Sequence, residues 1–191
     1  MNQSFDLSSS GWETTSLGDI ASIKGRIGWK GYTVADLRQS GILVIGGAQI
    51  SKDHQLNLKK PVFISREKYE ESPEIKVRSG DLLITKTGTI GNIALIPEWK
   101  KEATINPNTA IIRTNGIDNK FLYYFLSSSI FQMKLVDLVT VGAQPSLNQK
   151  NLRSFKIPIP PLPEQKKIAE ILSTVDMAIS KFSLKLSKLN L

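Results

Sequence analysis

Up to Ile159 the apolar residues come in short runs broken by Gly, Pro, Asn and Asp, and from Pro163 onward they recur at helical spacing. The first pattern predicts strands and short helices; the second predicts one long helix. Residues 17–24 read as a short helical turn running into a strand. Residues 33–40 read as a small helix, with Thr33 at its N-cap and Gly41 closing it. The compact run 42–45 has the character of a buried strand before the Gly46-Gly47 break. Residues 65–71 predict a helix capped by Ser65, with Glu67 in its first turn. Ser79-Gly80-Asp81 is a turn, 82–86 a strand, 87–91 a glycine-containing loop and 92–96 the return strand. Residues 109–113 make another strand. Asp118 is placed to cap one or two buried helices over 121–138, which carry Phe121, Tyr123, Tyr124, Phe125 and Phe131. A break from Gly142 to Pro145 precedes a last strand, 155–159, and a proline-rich hinge. Strands and helices do not alternate regularly, so the expected class is α+β: a mixed strand/helix domain over residues 1–162, then one long C-terminal coiled-coil helix over 163–191. No internal repeat is visible.

Within the tail, Ile168, Leu172, Val175, Ile179, Phe182, Leu186 and Leu189 recur at alternating steps of four and three, an apolar seam held for about three heptads. Pro163 suits a first helical turn, Glu164 the positive end of the helix dipole, and Lys185 and Lys188 the negative end. The rod would be about 40 Å long at 1.5 Å per residue. Such a helix either folds back on its own domain or seats against a partner helix. The sustained repeat beyond a proline hinge favours the partner.

Composition removes several kinds of chemistry. The chain has 191 residues, 40% of them hydrophobic and 22% charged, enough for a sizeable core and too apolar for disorder. It holds no cysteine, so disulfides, thiolate catalysis and cysteine-ligated zinc are out. His54 is its one histidine, read as a surface residue beside Lys52 and Asp53, so neither a histidine triad nor a multi-histidine metal site can form within one chain. The polar segment from Met1 to Gly11 has no apolar core for export, and no run of about 18 apolar residues occurs, so the expectation is a cytoplasmic protein off the membrane. The net charge of +8 favours a polyanion partner, nucleic acid first.

No phosphate-binding or dinucleotide-binding glycine loop sits between a strand and a helix. Asn106-Pro107-Asn108 falls short of the Asn/Asp-Pro-Pro-aromatic motif of adenine methyltransferases, lacking the second proline and the aromatic that stacks on the extruded base. Neighbouring carboxylates such as Glu70-Glu71 fall in a charged stretch and point different ways. No catalytic residue, cofactor site or metal site is assigned.

Binding chemistry is better represented. Residues 24–32 pack Lys24, Arg26 and Lys30 with Trp29, Tyr32 and three glycines into nine positions. Glycines admit a phosphate chain close to the backbone, cations neutralise it, and Arg reads guanine edges. A core-capping glycine hairpin is the competing account of this segment. Lys86, Thr87 and Thr89 form a second patch at a loop tip, whose glycines also suit a tight turn. Gln144, Ser146, Asn148 and Lys150 form a third, in which Asn148 equally suits a helix cap.

Three segments carry a family resemblance. Trp12 followed by Leu17-Gly18-Asp19-Ile20 resembles the opening of a target-recognition domain from the specificity (S) subunit of type I restriction-modification enzymes. Gly80-Asp81-Leu82-Leu83-Ile84 with Thr87-Gly88-Thr89-Ile90-Gly91 is similar to that family's central segment. The run Ile157-Pro158-Ile159-Pro160-Pro161-Leu162-Pro163-Glu164-Gln165, leading into Ile168 and Leu172, is similar to its most specific signature. The resemblance implies a non-catalytic subunit that selects the DNA sequence for adenine methylation and cleavage. In that family two recognition domains are held apart by antiparallel helices. Methyltransferase (M) subunits bring S-adenosylmethionine, and a restriction (R) subunit cuts double-stranded DNA. This chain carries one such domain and one helix, as a natural half-subunit or a fragment would. A bare seam is most simply covered by a second copy with its helix antiparallel. A spacer of about 40 Å would set two domains roughly one duplex turn apart, over a symmetric interrupted site. The alternative reading is a protein-interaction adaptor that dimerises through the same helix.

Overall fold

The structure is a computed structural model that describes residues 11–26, 33–140, 142 and 145–189. The polar opening segment and the candidate contacts Trp29, Lys30, Tyr32 and Gln144 lie outside the described residues. The central sheet is antiparallel, with strand order β2 (Ala21–Gly25), β9 (Thr109–Thr114), β6 (Leu82–Thr85) and β7 (Ile93–Leu95). A second, mixed sheet has the order β3 (Leu37–Arg38), β5 (Val62–Ile64), β4 (Ile42–Ile45) and β8 (Ala103–Ile105), with β4 and β8 parallel.

Side chains of a strand alternate between its two faces, and that period builds the layers. Leu82 and Ile84 of β6, with Ala110 and Ile112 of β9, face a core completed by Leu122, Leu126, Phe131 and Leu152 from the helices. Leu83 and Ile111, one residue out of phase, face a second core with Leu43 and Ile45 of β4. Ile42 and Val44 turn the other way, onto Ile64 and Tyr69 of α2 (Arg66–Glu70). The order through the molecule is therefore helices, sheet, sheet, helix. Strands buried on both faces read as continuous apolar runs, which is why 42–45 and 82–86 stood out.

Helices α2, α3 (Asn119–Ser127), α4 (Ser129–Leu135) and α5 (Gln149–Ser154) start where the sequence offers caps, whereas α1 (Leu17–Ile20) starts without a side-chain cap. Ser65, Asp118 and Asn148 accept from the backbone N–H of Lys68, Phe121 and Asn151, each satisfying a donor that the first helical turn leaves open. The segment 33–40 corrects expectation. It is a single 3-10 turn, Val34–Asp36, followed by strand β3. Asp36 accepts from Thr33 N–H at 2.6 Å and from the Thr33 hydroxyl at 3.1 Å, which caps the start of the turn, and the turn ends where Leu37 and Arg38 pair with Ile64 and Phe63. Gly41 does not close a helix. Its φ of +130° starts β4, where a Cβ would stand 2.5 Å from the Ile64 carbonyl oxygen.

His54, expected at the surface, is half-buried and held by two hydrogen bonds. The Ile93 N–H on the outer edge of β7 donates to His54 Nδ1 at 3.1 Å, and Tyr123 donates to the His54 carbonyl at 3.0 Å. The residue thus blunts an edge strand, a site otherwise open to mispairing. Burial holds the imidazole pKa below its ordinary value of 6.5, against the smaller upward pull of Asp53. A depressed pKa means that the stabilisation is complete above the unfolded-state value and is lost as pH falls through the folded one. Urea unfolding is expected to show wild type losing stability below about pH 6.5 relative to His54→Asn, which removes this titration. Parallel pH profiles would reject that role.

Strand β10 (Val139–Thr140) pairs antiparallel with β11 (Ser146–Leu147), and β1 (Glu13–Ser16) with β12 (Lys156–Ile159), the second pair tying the start of the domain to its last strand. The long helix α6 (Leu162–Leu189) follows at once. The segment between β12 and α6 is bolted, not a free hinge. Gln165, 2% exposed, donates to the Pro160 carbonyl at 2.8 Å and accepts from Asp118 N–H at 2.9 Å. Ala169 is buried beside it, and Tyr124 donates to Asp176 at 2.8 Å, so residues 165, 169 and 176 form the face that docks on α3. The apolar seam borders that face: Ala169 and Asp176 each follow a seam residue, about 100° around the helix, while Gln165 stands two turns before Leu172 and in line with it. It stays open: Leu172 is 38% exposed and Ile179 58%. Among the described residues no helix is long and apolar enough to cross a membrane.

Candidate nucleic-acid interface

Strands β2 and β6 both run antiparallel to β9, so their C-terminal ends lie together, beside the start of β9. The chain leaves β2 at Gly25 and β6 at Thr85, and enters β9 at Thr109. The described start of the first basic patch, Lys24 to Arg26, and the second patch are thereby set at one end of the central sheet. The third patch joins them through the backbone. Leu147 N–H donates to the Lys86 carbonyl at 2.9 Å, Lys86 N–H donates to the Asn108 carbonyl at 2.6 Å, and Thr87 pairs with Ser146.

Buried Thr85 shapes the second loop. Its hydroxyl donates to the Thr89 carbonyl and accepts from Asn92 N–H, and its carbonyl accepts from Gly91 N–H at 3.0 Å. The two glycines of this loop serve different ends. Gly91 has φ +88° and a Cβ there would meet Leu135 Cδ2 at 2.2 Å, so packing and backbone both demand glycine. Gly88 has φ +72° at an open tip, so only the backbone demands it. The Asn106-Pro107-Asn108 segment is a structural turn: Asn106 Oδ1 accepts from Asn108 N–H and the Thr109 hydroxyl at 3.0 and 3.1 Å.

Of the candidate contacts, Lys24, Thr89 and Lys150 are exposed around this end of the sheet, and Lys86 and Thr87 are half-buried within it. Arg26 departs from the picture of an open reader. It is 5% exposed and its Nε donates to the Ile105 carbonyl at 3.4 Å, which ties β2 to the second sheet. Burial alone holds the Lys86 pKa below its ordinary range.

Sequence reading missed Gln149. The first residue of α5 brings its amide over Gly25, where a Cβ would stand 2.7 Å from Gln149 Nε2 and 3.2 Å from Lys86 Nζ. No local pattern marked it, since its neighbours in space are 63 and 124 positions away in the chain (149 − 86 and 149 − 25). Arg153, also missed, donates from α5 to the Ile23 carbonyl at 2.9 Å and locks that helix against β2. Asp81 and Arg113, at the far end of β6 from Lys86, form a bidentate pair with both bonds at 2.7 Å. The Gly80-Asp81 motif is thereby assigned to the framework.

A family model described as type I restriction modification DNA specificity domain matches residues 9–187. The chain is 29% identical over 161 residues to the type I restriction enzyme EcoBI specificity subunit of Escherichia coli, which covers 82% of this chain and 33% of that subunit. Its fold is shared with the HsdS subunit from Thermoanaerobacter tengcongensis, at a TM-score of 0.65 and 21% identity over 95% of this chain and 41% of that one. The type I restriction-modification S subunit from M. genitalium gives a TM-score of 0.62 at 16% identity, over 91% of this chain and 41% of that one. The chain thus spans less than half the length of each of these relatives.

Proposed function

Because the chain belongs to the family of type I restriction modification DNA specificity domains, we propose that it is a sequence-reading unit for double-stranded DNA. It carries no reaction chemistry of its own and directs adenine methylation and cleavage by partner M and R subunits. S-adenosylmethionine belongs to the M subunit. Residues 1–162 are the target-recognition domain and 163–191 the spacer and dimerisation helix.

The observation that carries this reading is the meeting of Lys24, Lys86 and residues 146–150 at one end of the central sheet, where Lys86 has no carboxylate partner among the described residues. Lys24, Lys86, Thr87, Thr89 and Lys150 supply the contacts, joined by Trp29, Lys30, Tyr32 and Gln144; Arg26 acts from beneath by fixing the end of β2. Affinity for duplex DNA, measured with the M partner present, is expected to fall with salt, at a log–log slope of about −0.9 per phosphate contacted. An adaptor with an incidental basic face would show no such slope.

The open seam of α6 takes the same seam of a second copy, antiparallel. Charge supports that direction. Lys181, Lys185 and Lys188 crowd the C-terminal end of the helix, while its first half mixes Glu164, Glu170 and Asp176 with Lys166 and Lys167. A parallel pair would set the C-terminal lysines of both copies side by side; an antiparallel pair sets them against this mixed half. Two domains so held would read the two halves of a symmetric interrupted site.

A further inference from the structure

We propose that Gln149 reads an adenine edge and that Lys86 beside it binds the adjoining phosphate, the pair being kept free by the glycine at position 25. The proposal rests on the DNA-reading function above and goes further by assigning sequence discrimination to one residue.

Both side chains leave from ordered backbone and make no hydrogen bond among the described residues. The Lys86 backbone is fixed on two sides, by Asn108 and by Leu147, so its side chain leaves from a rigid point. Among the described residues its ammonium has neither a hydrogen-bond acceptor nor a carboxylate, and burial alone acts on its titration. A half-buried cation without a counter-charge costs free energy, which an arriving anion would recover. Gln149 is half-buried as well, and its amide makes no hydrogen bond to a described residue. Ordered neighbours and an unsatisfied amide describe a group prepared for an external partner.

Gly25 explains why the pair stays accessible. Its φ lies outside the left-handed region and it pairs with Ala110 in the sheet, so its backbone needs no glycine. Space does: a Cβ would collide with Gln149 Nε2 and crowd Lys86 Nζ. The division of labour follows from functional-group chemistry. A glutamine amide offers an acceptor and a donor side by side, matching N6–H and N7 of adenine, whereas a lysine is a point charge suited to phosphate. Lys24 and Lys150, exposed nearby, extend the positive surface along which a backbone would run.

The test is selection of bound duplexes from a randomised pool, with the M partner present, alongside salt titrations on the best sequence. Gln149→Ala is expected to relax preference for adenine at one position by about 5- to 150-fold and to leave the salt slope unchanged. Lys86→Met is expected to weaken all sequences alike and to reduce the slope by about 1. Gly25→Ala is expected to do both, since one methyl displaces both groups, while the far-ultraviolet spectrum stays that of wild type. An unchanged Gln149→Ala sequence profile, or an unchanged Lys86→Met slope, overturns the proposal while DNA reading stands. A wild-type complex without salt-dependent duplex binding overturns both together.

Discussion

Asp81→Ala is expected to destabilise the domain by about 3 kcal/mol in urea unfolding, the lower end of the cost of breaking a buried ion pair. Asp81 is 2% exposed, and it takes the Arg113 guanidinium with two bonds of 2.7 Å and Arg78 N–H with one of 2.8 Å. Arg113 also donates to the Lys76 carbonyl at 3.1 Å, so one carboxylate holds together the turn before β6, strand β9 and the segment leading to the turn. Truncation leaves the guanidinium facing a void. Its side chain keeps 28% exposure, and partial access of water sets the cost at the lower end. The double variant Asp81→Leu/Arg113→Leu is expected to recover much of the loss, because apolar neighbours need no counter-charge. A single-variant loss below about 1 kcal/mol, within the range of an exposed pair, would reject the framework role.

Leu172→Asp combined with Ile179→Asp is expected to convert a dimer into monomers, seen as halved mass in light scattering. Both residues are exposed in the single chain, so carboxylates there cost it little. In a seam-to-seam pair each copy would bury two unpaired charges, at several kcal/mol per charge. Dissociation should therefore strengthen by at least about a thousandfold. Helix content should hold, because the base of α6 is docked by the contacts of Gln165, Ala169 and Asp176, while Leu172 and Ile179 are exposed. Equal mass for variant and wild type would reject the seam as the contact. A wild-type monomer at micromolar concentration would reject the homodimer itself.

The parts of the fold legible in the sequence are those whose cause is local. Ser65, Asp118 and Asn148 cap helices because each side chain reaches an N–H a few residues ahead. Runs such as 82–86 betray burial on both faces. Strand β1 was not legible: Glu-Thr-Thr-Ser has no apolar alternation and is a strand only because β12 pairs with it. Residues 33–40 misled for the same reason, since pairing with β5 outweighed a local helical preference. In the interface, the basic and polar loops were visible as clusters of residue types. Their meeting was not, because it depends on β2 and β6 flanking β9 in one direction.

Sequence by itself determined the chemistry at hand: no thiol, one imidazole, an excess of cations, a seven-residue apolar repeat and the segments that mark the family. Tertiary structure alone decided which of the described cations are paired with protein groups and which are not. It turned Arg26 inward, paired Arg113 with Asp81, and set Lys86 beside Gln149 above a glycine. It also decided that α6 docks through Gln165 and leaves its seam open. The physical reason is range. Caps, turns and periodicity act within a few residues, whereas solvation and charge depend on neighbours brought in from across the chain.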